Sequence, residues 1–213
     1  MKKLSLLFAV AAVVLMVGCT KETSIDSTVG NGGSGGSGGG GTSGSLIGTW
    51  RFAGLTANTE NSLELSQGTD VEKTVTISNY TSTNNIGTYT FTASKLQMNG
   101  VGYSITSTAK AYLYDNGVLF DSIEAPFSFT LPATNGETNY KKVGSDSLYF
   151  EGGSMTIPSG GTQPAQSSGV KYRFEGDKLI MTTNYQQRTV TDLGAGIMQV
   201  QVLKASGVTT LQK

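Results

Sequence analysis

Gly102-Tyr103-Ser104-Ile105-Thr106-Ser107-Thr108-Ala109-Lys110-Ala111-Tyr112-Leu113-Tyr114, followed by Asp115-Asn116-Gly117 and the run from Val118 to Leu131, is the stretch that decides the fold. Tyr103, Ile105, Ala109, Ala111 and Leu113 share one parity, while Ser104, Thr106, Thr108 and Lys110 take the other. A period of two is the signature of a strand, because successive side chains leave opposite faces. Tyr114-Asp115-Asn116-Gly117 supplies a hairpin turn, since Asn and Gly tolerate the positive φ that tight turns demand. The returning strand keeps Ile123, Ala125, Phe127, Phe129 and Leu131 in phase. Val118 and Phe120 fall out of that phase, which predicts a bulge or a locally two-sided burial near Asp121.

The same alternation recurs on both sides of this hairpin. Thr49 to Gly54 puts Trp50 and Phe52 on one face, and Val71 to Ser78 sets Val71, Val75 and Ile77 opposite Glu72, Thr74 and Thr76. Further strands are expected at 147–150, 154–157, 170–175, 178–185, 197–204 and 208–212, with Glu175-Gly176-Asp177 as a tight connection. Loops are expected at Pro158 to Gly169, rich in Gly, Ser, Gln and Pro, and at Gln186 to Gly196. No long helical period interrupts the series. The reading is an all-β, antiparallel, up-and-down barrel of roughly eight to ten strands, because closure removes the edges that such a sheet would otherwise expose.

Residues 46–213 are enough for one domain that buries on the order of 70% of its unfolded surface. Upstream lies a stretch that cannot build a core: in Gly30 to Ser45, 10 of 16 residues are glycine and most others serine. Such a segment behaves as a flexible coil, so residues 19–45 read as a tether, with a typical end-to-end span of about 25 to 30 Å.

Ahead of the tether, Lys2 and Lys3 precede an apolar run from Leu4 to Val17. Its 14 residues fall short of the roughly 20 that a transmembrane helix needs, so residues 1–18 read as a cleaved signal peptide. The run ends in Leu15-Met16-Val17-Gly18-Cys19, which resembles the lipobox of bacterial lipoproteins, with Met16 where leucine is usual. That resemblance implies alkylation of the Cys19 thiol by a diacylglycerol and cleavage before Cys19, which leaves it as the mature N-terminus carrying acyl chains such as palmitate. Cys19 is the only cysteine, so it has no internal partner for a disulfide. Thr20 stands where an aspartate would, by resemblance to the sorting pattern of some Gram-negative lipoproteins, imply the inner membrane, so the outer membrane is expected. Lys21-Glu22 matches acidic export signals only in part, which leaves both the periplasmic and the surface side open.

Leu46-Ile47-Gly48-Thr49-Trp50 contains a Gly-x-Trp pattern that resembles the opening strand of lipocalin-like domains. Tyr172 to Leu179 and the terminal Leu211-Gln212-Lys213 extend the likeness, the latter to the closing strand of such domains in bacterial surface lipoproteins. The resemblance implies an up-and-down barrel around a cavity for a small apolar molecule, with Trp50 packed across the closed end. The chain lacks the C-terminal helical pattern and the disulfide pair of many lipocalins.

Composition removes several functions. There is no histidine, and the one cysteine is committed to lipid, so Ser-His-Asp and Cys-His catalysis and the usual zinc, copper and haem ligands are missing. No cofactor is expected. Without Lys2 and Lys3 the chain carries 13 basic against 15 acidic residues with no like-charge block, which disfavours nucleic acid. Glu124 sits on the polar parity of its strand, Glu175 and Asp177 flank a turn, and Asp115 with Asn116 forms a turn without the further ligands calcium requires. No enzyme is expected. Arg51 and Arg173 oppose apolar neighbours and should point outward, leaving no internal cation to pair a fatty-acid head group.

Two binding readings remain. One is a cavity beside Ser107, Ala109 and Ala111, small residues on the inward parity, holding a small neutral apolar ligand, the alternative being dense packing of these residues against large ones opposite such as Phe91 and Phe174. The other is an interaction or glycan-binding surface with no internal ligand, for which Tyr112 and Tyr114 on the solvent-side parity are candidates. In either case the membrane is a partner through the acyl chains on Cys19.

Overall fold

The computed structural model describes residues 23–24, 44–151 and 168–213. The expected signal peptide, Cys19, the expected strand at 154–157 and most of the expected loop from Pro158 lie outside the described residues.

The strands are β1 (Thr23–Ser24), β2 (Gly48–Gln67), β3 (Asp70–Thr81), β4 (Thr83–Phe91), β5 (Lys95–Asp115), β6 (Val118–Val143), β7 (Ser147–Phe150), β8 (Ser168–Glu175), β9 (Lys178–Gly194) and β10 (Ile197–Gln212). From β2 onward sequence neighbours pair antiparallel, except β3 and β4, which do not pair with each other, and β10 closes the circuit by pairing with β2. The fold is therefore an all-β up-and-down barrel. β3 and β4 lie end to end in one position, since both pair with β2 and with β5 at successive levels, so the ring has eight positions.

The ring is much deeper on one side than on the other. β7 pairs with β6 only over residues 140–143, and β8 reaches β9 only over 178–183. Beyond that level three long hairpins, β9–β10, β2–β3 and β5–β6, continue as a six-stranded wall whose turns all fall at one end. The β5–β6 turn has Asn116 at φ 49° and Gly117 at φ 80°, the double positive φ of a type I′ turn. Leu113 pairs with Asp121 and Tyr114 with Leu119, so Phe120 is the extra residue of the expected bulge.

Aromatic and aliphatic side chains fill the closed end. Phe52, Phe91, Phe150, Leu96, Leu179 and Leu211 are fully buried, each contributing about 1.5–3 kcal/mol of burial. Trp50 stacks on Phe174 at 6.0 Å, donates its indole N–H to the Leu46 carbonyl (3.0 Å) and carries the Lys213 ammonium over its ring at 4.8 Å. Where the closed end meets the wall, Ser82 makes two bonds to Leu55: its N–H donates to the Leu55 carbonyl (2.8 Å), and its Oγ accepts from the Leu55 N–H (2.7 Å).

Three expectations are corrected. Gln186 to Leu193 is strand rather than loop, and β10 is one strand with a bulge at Thr210/Leu211 rather than two. Val75 and Ile77 pair with Tyr112 and Lys110 on the outer face, while Thr74 and Thr76 face inward. The first and third share a cause: in the wall both faces meet water, so apolar alternation no longer marks the buried side, whereas the break expected in β10 falls on the small residues Ala205 and Gly207, which are buried. Within the expected tether, Thr23 and Ser24 pair with Thr189 and Arg188 on the free edge of β9. The opposite edge, β6, carries Pro126 and Pro132, residues that strands tolerate where no inter-strand N–H is needed.

Candidate functional site

Register fixes what the inner face of the wall presents, because residues directly opposite on paired strands project from the same side. One row across the six strands reads Ala125, Ala109, Ser78, Thr59, Ala205 and Tyr185. The next row towards the turns reads Ile123, Ala111, Thr76, Asn61, Leu203 and Gln187. Small side chains thus form a trough across strands spaced about 4.8 Å apart, with larger groups at its ends: Phe127 and Phe129 on β6, Tyr185 on β9. Most of these residues are half-buried, the state of a face sheltered by curvature but open to solvent.

Neither row carries a carboxylate, a lysine or an arginine. The polar groups are hydroxyls and amides that bond within the rows or to the next one: Thr59 Oγ1 to Ser78 Oγ (2.6 Å), the Tyr185 hydroxyl to Gln187 Oε1, and Gln201 Nε2, one level nearer the turns, to Asn61 Oδ1 (3.4 Å). Burial raises the Tyr185 pKa, so the phenol stays protonated and can donate. The outer face of the same strands is the charged one, with Lys73–Glu64, Lys110–Glu124 and Lys204–Glu60 ion pairs at 3.7, 3.4 and 2.9 Å. Tyr112 belongs to that face, with the Lys110 ammonium 5.4 Å from its ring centre.

Below the trough, a cavity of about 60 Å³ opens between Phe52, Tyr89, Met98, Val101, Tyr103 and Leu131. An apolar cavity that admits one benzene measures about 150 Å³, so this one is smaller than a lipid tail requires. Desolvation raises the pKa of Tyr89, with the neighbouring Tyr103 adding to it, and moves that of Tyr103 up to about 12.

The four residues read as candidate cavity lining are not brought together. Ala109 and Ala111 lie in the open trough and do not line the 60 Å³ cavity. Phe91 is buried at the closed end against Tyr140 at 5.8 Å, and Phe174 stacks on Trp50. Arg51 and Arg173 are at the surface, bonded to Gln212 and Glu175. Glu124 is ion-paired to Lys110, and Asp177 accepts from Gln212 Nε2 at 2.7 Å. Among the described residues no three His, Cys, Asp or Glu side chains gather as a metal would need. Sequence reading did not single out Tyr185, Asn61 or Gln187. The alternation of Tyr185 with Gln187 and Thr189 is the signal that could have found them.

A closed meander, without helices among the described residues and with an open, uncharged inner wall, defines the class as an antiparallel β-barrel of the up-and-down type. No protein-family model matches the chain, and no curated protein or solved structure matches it.

Proposed function

We propose that this protein is a non-catalytic, lipid-anchored lipocalin-like binding protein of the bacterial envelope, held at the outer membrane through acylated Cys19, whose open trough takes a neutral, hydroxyl-rich ligand such as a glycan chain. The observation that carries the reading is the uncharged trough of hydroxyls and amides bounded by Phe127, Phe129 and Tyr185. Sugars bind by hydrogen bonds to such groups and by laying their apolar faces on aromatic rings. A neutral surface avoids the desolvation that a charge without a partner would suffer there. A glycan array probed with the chain carrying Cys19→Ala tests it. Binding lost in Phe129→Ala and Tyr185→Ala but kept in Tyr112→Ala supports the trough. The reverse pattern moves the site to the outer face, and a silent array rejects glycans.

The cavity beside Tyr103 favours a second reading, a small neutral apolar ligand in the interior. Its size restricts that ligand to something below the bulk of a lipid. Native mass spectrometry of the same chain would reveal it as a small co-purifying mass.

A further inference from the structure

The wall ends in three turns, and its exposed apolar side chains collect there. Among the described residues, seven large apolar side chains are more than half exposed. Five of them, Val118 (68%), Leu119 (51%), Phe120 (54%), Ile123 (52%) and Leu193 (53%), lie at or near this end. Chain connectivity leads to the same place. Thr23 pairs with Thr189 and Ser24 with Arg188, so β1 runs antiparallel to β9 and its upstream side points to the β9–β10 turn. Cys19 is four residues upstream of Thr23, a reach of at most about 14 Å. The closed end of the barrel begins at Lys178, eleven residues down β9 from Thr189, or about 36 Å at strand rise. Cys19 can therefore stand near the turns but not near the closed end.

We propose that the turn end of the wall is a membrane-contacting surface: Val118, Leu119 and Phe120 of one hairpin and Leu193 of another dip into the lipid to which Cys19 is anchored. This rests on the acylation of Cys19. The paired Thr23–Ser24 shortens the working tether from the whole Gly-rich stretch to four residues, so the domain stands on its turns with the trough above the surface. The turn segments 66–71, 113–121 and 192–198 contain no Lys or Arg but do contain Asp70, Asp115, Asp121 and Asp192. The surface contacted is accordingly zwitterionic rather than anionic, because like charges repel within a Debye length.

The chain from Cys19 to Lys213 tests this without relying on cellular acylation, since its sole thiol couples to a maleimide-headgroup lipid in phosphatidylcholine vesicles. Leu119→Trp and Leu193→Trp each add one tryptophan at an exposed turn-end position, and native Trp50 reports the closed end. Lipids brominated in the acyl chain are expected to remove the emission that each new tryptophan adds and to leave the native chain's emission unchanged. Anionic lipid at low salt should weaken the quenching. Unquenched emission from both new tryptophans overturns the proposal, as does quenching of Trp50 to the same degree, or self-association of the coupled chain that covers the turns instead of lipid. Mass spectrometry of the chain recovered from bacterial membranes reads acylation separately. A missing acyl mass with quenched turns refutes the natural anchor and keeps the contact surface; an acylated chain with unquenched turns refutes the surface and keeps the anchor.

Discussion

Gly87 approaches Gly100 so closely that a β-carbon on it would stand 2.5 Å from the Gly100 carbonyl carbon and 2.6 Å from the α-carbon of Val101. The neighbours are backbone, which cannot swing aside as a side chain would. Gly87 also holds φ 91°, a conformation L side chains rarely adopt. Gly87→Ala is expected to lose about 3 kcal/mol or more, from steric conflict and backbone strain together. Urea unfolding followed by circular dichroism would show the midpoint shift, and an unchanged midpoint would refute the packing described for β4 against β5.

Stability should concentrate at the closed end. Phe150 is fully buried between β6 and β8 and meets Tyr140 at 5.8 Å, whereas Phe129 is 39% exposed on the wall. Phe150→Ala is expected to lose about 3–5 kcal/mol, the range for emptying a buried aromatic site. Phe129→Ala should lose about 1 kcal/mol or less, as surface substitutions usually do. Thermal unfolding of the two variants checks the order, and comparable losses would mean that the wall is as tightly packed as the floor.

That contrast also explains what could be read beforehand. The closed end behaves as one-sided sheet, and there the alternation of Trp50 with Phe52, or of Leu148 with Phe150, marks buried residues faithfully. The turn at Asn116-Gly117 and the bulge at Phe120 were legible because both follow from local backbone chemistry. The wall was not. Gln186 to Leu193 has polar residues on both parities because it borders water on both faces, and Asn58 to Gln67 in β2 is disguised in the same way. The trough escaped detection for a further reason: Ala109, Ser78, Thr59 and Ala205 come from four strands, and only the register between those strands lines them up.

Alkaline pH should unfold the protein through three tyrosines. Burial raises the pKa of Tyr80 and Tyr89, with Tyr103 adding to both, and desolvation alone carries Tyr103 up to about 12. An unfolded chain loses these protons near pH 10, the ordinary range of a tyrosine hydroxyl, before the folded chain does. The folded state therefore binds more protons across that window, and stability falls as pH rises through it. It is fully present below pH 10 and lost progressively towards about 12. The ultraviolet absorbance of tyrosinate should show these tyrosines resisting ionisation until unfolding releases them. A stability that stays flat over this range would contradict their burial.

Filling the trough should separate binding from folding. Ala109 lies between Ala125 and Ser78 on the inner face and is half-buried, at a level that the described strands β7 and β8 do not reach. A large residue there can lean into solvent, so Ala109→Trp should change stability by only about 0.5–1 kcal/mol, well below the 1–3 kcal/mol of overpacking a closed core. The same indole would occupy the space between Phe127 and Thr59 that a ligand crossing the strands needs. Ligand binding is expected to be abolished while the unfolding midpoint stays close to that of the native chain. The control is Thr108→Trp, one residue away on the outer parity, which should leave both quantities unchanged. If Ala109→Trp instead unfolds the domain, the wall is a closed interior and not an open trough. If both variants bind as the native chain does, the ligand sits elsewhere on the barrel.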